Sequence, residues 1–339
     1  MSAELPPFRP RFPWWSADLQ TLAARLRPSP SLPASCRSER LSFRLKDGDT
    51  LLAQLDQPPV PRSGRPLVIL IHGLTGSEQS RYMMSQASLL LERGHPVLRL
   101  NLRGAGPSRA LCGGHYYAGR SEDFRELLSL LPAELIRHGL AAIGYSLGGA
   151  MLLKYLGEEG AAAPLVAAAS VSAPLDLSAT CRNMMRRRNR LYHRYILGEM
   201  KREATGEGAV LSPSERASIL GAETIWHYDE RFIAPRHGFA GAEDYYERCK
   251  PVRFMPGIRV PTLVLASLDD PWIPGLLYSR YDWSGSGALR PVLTDRGGHV
   301  GFHGVGCRQP WSDLAIADFV GSWRQAWPSA TTTAAARRG

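Results

Sequence analysis

The segment Gly144-Tyr145-Ser146-Leu147-Gly148-Gly149 follows a short apolar run and precedes an apolar helical pattern. In that setting a serine hydroxyl can act as a nucleophile. A sharp strand-to-helix turn lifts the hydroxyl above a sheet, and the positions two before and two after it must lack side chains that would collide. Gly144 and Gly148 occupy them. A serine hydroxyl is a poor nucleophile at neutral pH, so it needs a base within hydrogen-bond reach and a third group to orient that base. The chain offers both in the order serine, acid, histidine. The expected acid is Asp270 in Ser267-Leu-Asp-Asp-Pro-Trp-Ile-Pro274, where Pro-x-x-Pro stiffens the loop; Asp269 is the alternative and Asp176 a more distant one. The expected base is His299, which follows the last β-prone run and two glycines that let the backbone turn the imidazole over the sheet; His303 is its competitor. An oxyanion would need two preset N–H donors. Leu147, at the head of a helix, supplies one, and Leu74, in Ile71-His-Gly-Leu-Thr-Gly-Ser77, the other.

These residues need a scaffold that brings distant loops to one rim. Eight apolar, β-prone runs are suited to build it: Leu41 to Leu45, Leu51 to Leu55, Leu67 to Ile71, Val97 to Leu100, Ala141 to Tyr145, Leu165 to Val171, Leu263 to Ala266 and Pro291 to Leu293. The first two alternate and flank Lys-Asp-Gly-Asp, which predicts an antiparallel hairpin. The later ones are continuously apolar, as strands covered on both faces should be. Helical patterns lie between them at Gln79 to Arg93, Ser121 to Leu131, Leu147 to Glu158 and Trp311 to Trp323, with a further short one around Trp15 to Leu26. The alternation predicts an α/β architecture with a mostly parallel eight-stranded sheet flanked by helices.

The expected organisation is an N-terminal extension over 1–38, a core over 39–172 and 259–327, a helical cap over 173–258 inserted after strand 6, and a disordered tail over 328–339. A strandless interval as long as 173–258 is implausible as a bare loop, hence the cap. The tail, rich in Thr and Ala, has nothing to pack.

Composition limits the partners. The net charge is +10, but the arginines are scattered except for Arg182 to Arg194, and no base-reading motif accompanies them, so no nucleic-acid partner is expected. That basic segment could touch a membrane surface weakly, although such runs more often form a solvated helix face. Five cysteines, far apart and without a Cys-x-x-Cys pair, argue against a zinc site and a disulfide framework. The N-terminus lacks an apolar core of signal-peptide length and no run is long enough to span a bilayer, so a cytoplasmic protein is expected. No cofactor or metal is expected, and the oligomeric state is left open.

The chain resembles the YheT-like esterases, the bacterial branch of a lipid-active subfamily with the α/β-hydrolase fold. The residues that carry the resemblance are Asp18-Leu-Gln-Thr-Leu22, His72-Gly-Leu-Thr-Gly-Ser77 with Ser80 and Tyr82, Asn101-Leu-Arg-Gly104, Tyr116 to Asp123, the elbow, Phe232-Ile-Ala-Pro-Arg-His-Gly-Phe239, Asp244-Tyr-Tyr246, and Pro261-Thr-Leu with Asp269-Asp-Pro271. The resemblance implies a carboxylesterase of short- to medium-chain esters, with acylglycerols as a candidate class and with the triad Ser146, Asp270 and His299. The chain departs from the family pattern at Ile233, Cys249, Tyr117 and Ala105-Gly-Pro107, positions that bear on a pocket rather than on the triad. Trp226, Tyr228, Tyr245 and Tyr246 could line that pocket or pack the cap. An acyltransferase or thioesterase would use the same triad, while a non-catalytic binding protein would be expected to have lost part of it.

Overall fold

The computed structural model describes residues 7–326 other than 29, 61 and 63. The tail 328–339 lies outside the described residues. Eight strands form one sheet in the order β1-β2-β4-β3-β5-β6-β7-β8: β1 Arg37–Arg44, β2 Thr50–Gln57, β3 Leu67–Ile71, β4 Val97–Leu100, β5 Leu140–Tyr145, β6 Ala167–Val171, β7 Thr262–Ser267 and β8 Leu289–Thr294. The hairpin β1–β2 is antiparallel, β2 pairs antiparallel with β4, and every later pairing is parallel. The α/β architecture read from the sequence is thus the one found.

Strand β1 begins at Arg37, inside the stretch 1–38 assigned to the extension, and it pairs residue for residue with β2 from Arg37↔Gln57 onward. Its first residues are exposed and polar, so hydrophobic patterning cannot reveal them; the backbone ladder decides that boundary.

The central strands bury both faces by simple alternation. In β3, Leu67, Ile69 and Ile71 join one core with the helices Ser121–Ser129 and Leu147–Glu159, while Val68 and Leu70 join a second with the helices Arg81–Glu92 and Trp311–Ala326. Between β6 and β7, residues 172–261 contain helices and no strand among the described residues, chiefly Leu177–Met184, Arg190–Ala204, Pro213–Leu220 and Ala242–Cys249. They pack around their own apolar cluster, which Leu74, Leu147 and Trp272 join from the sheet side.

Because β3 and β5 through β8 run parallel, the loops that follow them emerge at a single edge. Ile71↔Gly144, Tyr145↔Val171 and Val171↔Leu265 align the ends of four strands, and Ser267↔Thr294 aligns the last two. Crevices at such carboxyl ends are where ligands bind in open α/β sheets.

Candidate active site

Ser146 sits between β5 and the helix Leu147–Glu159 at φ 51°, ψ −120°, a backbone that only surrounding contacts can hold. Its N–H donates to Val171 O at 2.8 Å. A Cβ on Gly148 would stand 2.4 Å from His72 O and 2.7 Å from Ile71 O, both rigid backbone atoms. We therefore expect Gly148→Ala to cost about 1–3 kcal/mol of stability by overpacking, checked by denaturant unfolding. An alanine at 148 that left stability unchanged would show that the turn can relax.

The imidazole of His299 lies between the serine and an acid. His299 Nε2 is 3.0 Å from Ser146 Oγ, and His299 Nδ1 is 2.8 Å from Asp270 Oδ2. Asp270 and His299 are both buried, and the Trp272 ring stacks on the imidazole at 4.3 Å. A carboxylate can only accept, which places the imidazole proton on Nδ1 and leaves Nε2 free to accept from the serine hydroxyl. Asp270 Oδ1 accepts from the N–H groups of Trp272 at 2.8 Å and Ile273 at 3.1 Å. Those two amides, rather than proline stiffness alone, hold the carboxylate.

The alternatives have other partners. Asp269 accepts from Ser267 Oγ and from Gly298 N–H, so it braces the histidine loop. Asp176 caps the helix Leu177–Met184 by accepting from Ala179 N–H. His303 Nδ1 accepts from Arg27 Nη1 at 2.7 Å, and burial together with Arg27 and Arg11 pushes its pKa down to about 3.

The loop after β3 approaches the serine closely: a Cβ on Gly73 would stand 3.0 Å from Ser146 Cβ. The Gly73 N–H donates to Tyr82 Oη, Thr75 N–H to Tyr116 Oη, Gly76 N–H to Gly73 O and Ser77 N–H to Ser80 Oγ. Among the described residues the Leu74 N–H has no such internal acceptor, and neither has the Leu147 N–H at the first helical position. His72 fixes the same loop. It is fully buried and neutral, its pKa lowered to about 4 by burial, with Nδ1–H donating to Gly73 O and Nε2 accepting from Leu102 N–H.

Sequence reasoning missed several supports. Tyr116 Oη, besides accepting from Thr75, donates to Glu203 Oε2 at 2.7 Å, and burial raises the Glu203 carboxyl to about 7. The helix Ala17–Leu26 clamps the histidine loop: Thr21 Oγ1 accepts from His299 N–H, and Gln20 exchanges hydrogen bonds with the backbone of His303. Both residues fall in the Asp18 to Leu22 motif, whose five-residue match was the available signal.

A cavity of about 990 Å³ opens beside the serine. Its walls include Leu74, Leu147, Met184, Ile196, Met200 and Ile225 together with Tyr228, Tyr245 and Tyr246; Trp226 is not among them. Of the positions that depart from the family pattern, Tyr117 and Ile233 face this cavity.

Residues 68–310 match the sequence profile of the Alpha/beta hydrolase family. The chain belongs to that family. It is 31% identical over 289 residues to "Putative esterase YheT" of Escherichia coli (strain K12), covering 84% of this chain and 85% of that protein. It is 30% identical over 280 residues to the medium-chain fatty acid ethyl ester synthase/esterase 2 of Saccharomyces cerevisiae, covering 75% and 61%. Among solved structures, the esterase Pf2001 of Pyrococcus furiosus superposes with a TM-score of 0.55 at 16% identity, over 89% of this chain and 99% of that one, a likeness of fold. In this α/β hydrolase the helical segment 172–261 packs against Leu74, Leu147 and Trp272.

Proposed function

We propose that this α/β hydrolase cleaves carboxylic esters of short- to medium-chain acids, acylglycerols among them, through an acyl-enzyme on Ser146. The observation that carries the reading is the hydrogen-bond chain from Asp270 through His299 to Ser146, ending at a largely apolar cavity. The names of the Escherichia coli and yeast relatives agree with it.

In the proposed reaction, Ser146 Oγ attacks the ester carbonyl while His299 Nε2 takes its proton. The N–H groups of Leu74 and Leu147 receive the oxyanion, His299 returns the proton to the leaving alcohol, and water then cleaves the acyl-enzyme by the same route. Each step uses groups of the chain and water. Asp270 keeps the imidazole in the accepting tautomer.

The test is the chain-length profile on p-nitrophenyl esters, from acetate through laurate to palmitate. We expect hydrolysis with a maximum in the short- to medium-chain range; a wild-type protein inert on the whole series would overturn the reading. Added ethanol separates hydrolysis from acyl transfer, since the yeast relative's name joins the two: an ethyl ester product would move the assignment toward a transferase.

Tyr116 acts, in this reading, by holding the loop that carries Leu74. Tyr116→Phe leaves Thr75 N–H without its acceptor, and we expect kcat to fall about 10- to 100-fold with KM little changed. Steady-state kinetics check this, and a rise in KM alone would assign Tyr116 to substrate binding instead.

A further inference from the structure

We propose that this protein docks on anionic lipid surfaces through a patch at the mouth of the active-site cavity, built from the outer face of the helix Ala17–Leu26 and the arginines of the segment 182–194.

The helix has two unlike faces. Its inner residues Gln20, Thr21 and Ala23 are buried against the loop that carries His299 and His303. Leu19, Leu22 and Leu26 recur at the spacing of one helical face and are 36, 36 and 66% exposed, and Trp15, just before the N-cap Ser16, is 54% exposed. Three leucines on one face of an otherwise docked helix, continued by Trp15 just before its N-cap, form a stripe rather than scattered single exposures. Phe12, also exposed, packs its ring 4.8 Å from that of Trp15 and extends the patch.

The arginines adjoin this stripe. Asp18 on the helix accepts from Arg188 Nη2 at 2.8 Å and from Tyr192 Oη at 2.9 Å, which joins the two elements at the cavity rim. Leu22 from one side and Arg188, Leu191 and Tyr192 from the other all line the cavity, and Leu191 is 79% exposed. From Leu177 to Gly198 the chain carries six arginines and no acidic residue. All six are exposed, and apart from Arg188 none has a carboxylate within ion-pair distance among the described residues.

Charge complementarity identifies the occupant. Unpaired guanidinium groups beside exposed Trp and Leu are what an interface of anionic head groups over acyl chains attracts. A second copy would set arginines against arginines, and a nucleic acid offers no acyl phase in which Leu19, Leu22 and Leu26 could be buried. No described helix is long and apolar enough to cross a bilayer, and the proposed contact is made by this surface patch. Docked this way, the cavity mouth faces the lipid, and an ester could pass from the interface toward Ser146. That delivery rests on the ester-hydrolysis reading; the docking itself does not.

The experiment is co-sedimentation of the whole protein with phosphatidylcholine vesicles that contain or lack phosphatidylglycerol. Binding is expected to the anionic vesicles only and to weaken steeply with salt. Arg186→Gln/Arg187→Gln/Arg194→Gln should lower the partition coefficient on the order of 100-fold. Trp15→Gln/Leu19→Gln/Leu26→Gln should lower it at least about 10-fold. Both variants should hydrolyse soluble p-nitrophenyl butyrate like the wild type, which also reports that they fold. Ser146→Ala should bind vesicles normally, so a failed esterase reading and a failed docking reading are told apart. Hydrogen exchange on the wild type provides a check without variants: residues 15–26 should gain protection when anionic vesicles are added. Absence of binding to anionic vesicles, binding unaffected by both variants, or retention on duplex DNA without vesicle binding would each overturn the proposal. So would a dimer in sedimentation velocity that the apolar variant abolishes.

Discussion

Ser146→Ala is expected to lower kcat/KM for p-nitrophenyl butyrate by at least about 10³-fold while leaving the fold unchanged. The serine hydroxyl is the atom at the end of the Asp270–His299 chain, 3.0 Å from Nε2, and among the described residues no other hydroxyl shares that contact. Alanine removes the proposed nucleophile but keeps the turn, because the residue's backbone hydrogen bond to Val171 and the close packing of Gly148 do not involve Oγ. What survives is the contribution of binding and of the oxyanion donors. A fluorophosphonate probe gives an independent readout: it should label the wild type and fail to label the variant. Turnover within a few-fold of the wild type would sink the assignment of Ser146, whatever the fold.

The second large effect is expected at Asp270. Asp270→Asn is nearly isosteric, yet kcat should drop about 10³- to 10⁴-fold. Oδ1 accepts from two backbone N–H groups, those of Trp272 and Ile273, so the amide oxygen of the asparagine must take that position. Its NH₂ then faces His299 Nδ1 and can only donate. The imidazole is forced to carry its proton on Nε2, where it donates toward Ser146 and cannot accept the proton that attack releases. Asp269→Asn tests the choice between the neighbouring acids. It disturbs a brace from Gly298 N–H and Ser267 Oγ, so its loss should be much the smaller of the two. If the two variants lost activity in the reverse order, the acid would be Asp269.

The α/β alternation, the elbow and the late Asp and His were legible because each depends on local pattern. A buried parallel strand must be a run of apolar residues, and a strained nucleophile turn must have glycines at fixed offsets. The supports of the site were harder to see because they bind backbone groups from far along the chain. Thr21 meets His299 N–H across 278 positions, and Glu203 meets Tyr116 across 87. Nothing in the spacing of a threonine or a glutamate announces such a partner. The boundary of β1 was lost for a different reason: the first residues of this edge strand are exposed and polar, so its backbone ladder rather than an apolar pattern marks its start.

By itself the sequence determined the layered architecture, the serine with its glycines, and the short list of acids and bases that could serve it, since composition and period suffice for these. Only the tertiary structure brings Asp270 and His299 together with Ser146 and gives Asp269, Asp176 and His303 other partners. Hydrogen bonds select by direction and distance, and those exist only once β5 through β8 are assembled in one sheet with their carboxyl ends at one edge. The same assembly turned the N-terminal helix from an extension into a clamp with one face on the histidine loop and the other open to its surroundings, because a helix face acquires meaning only from what it packs against.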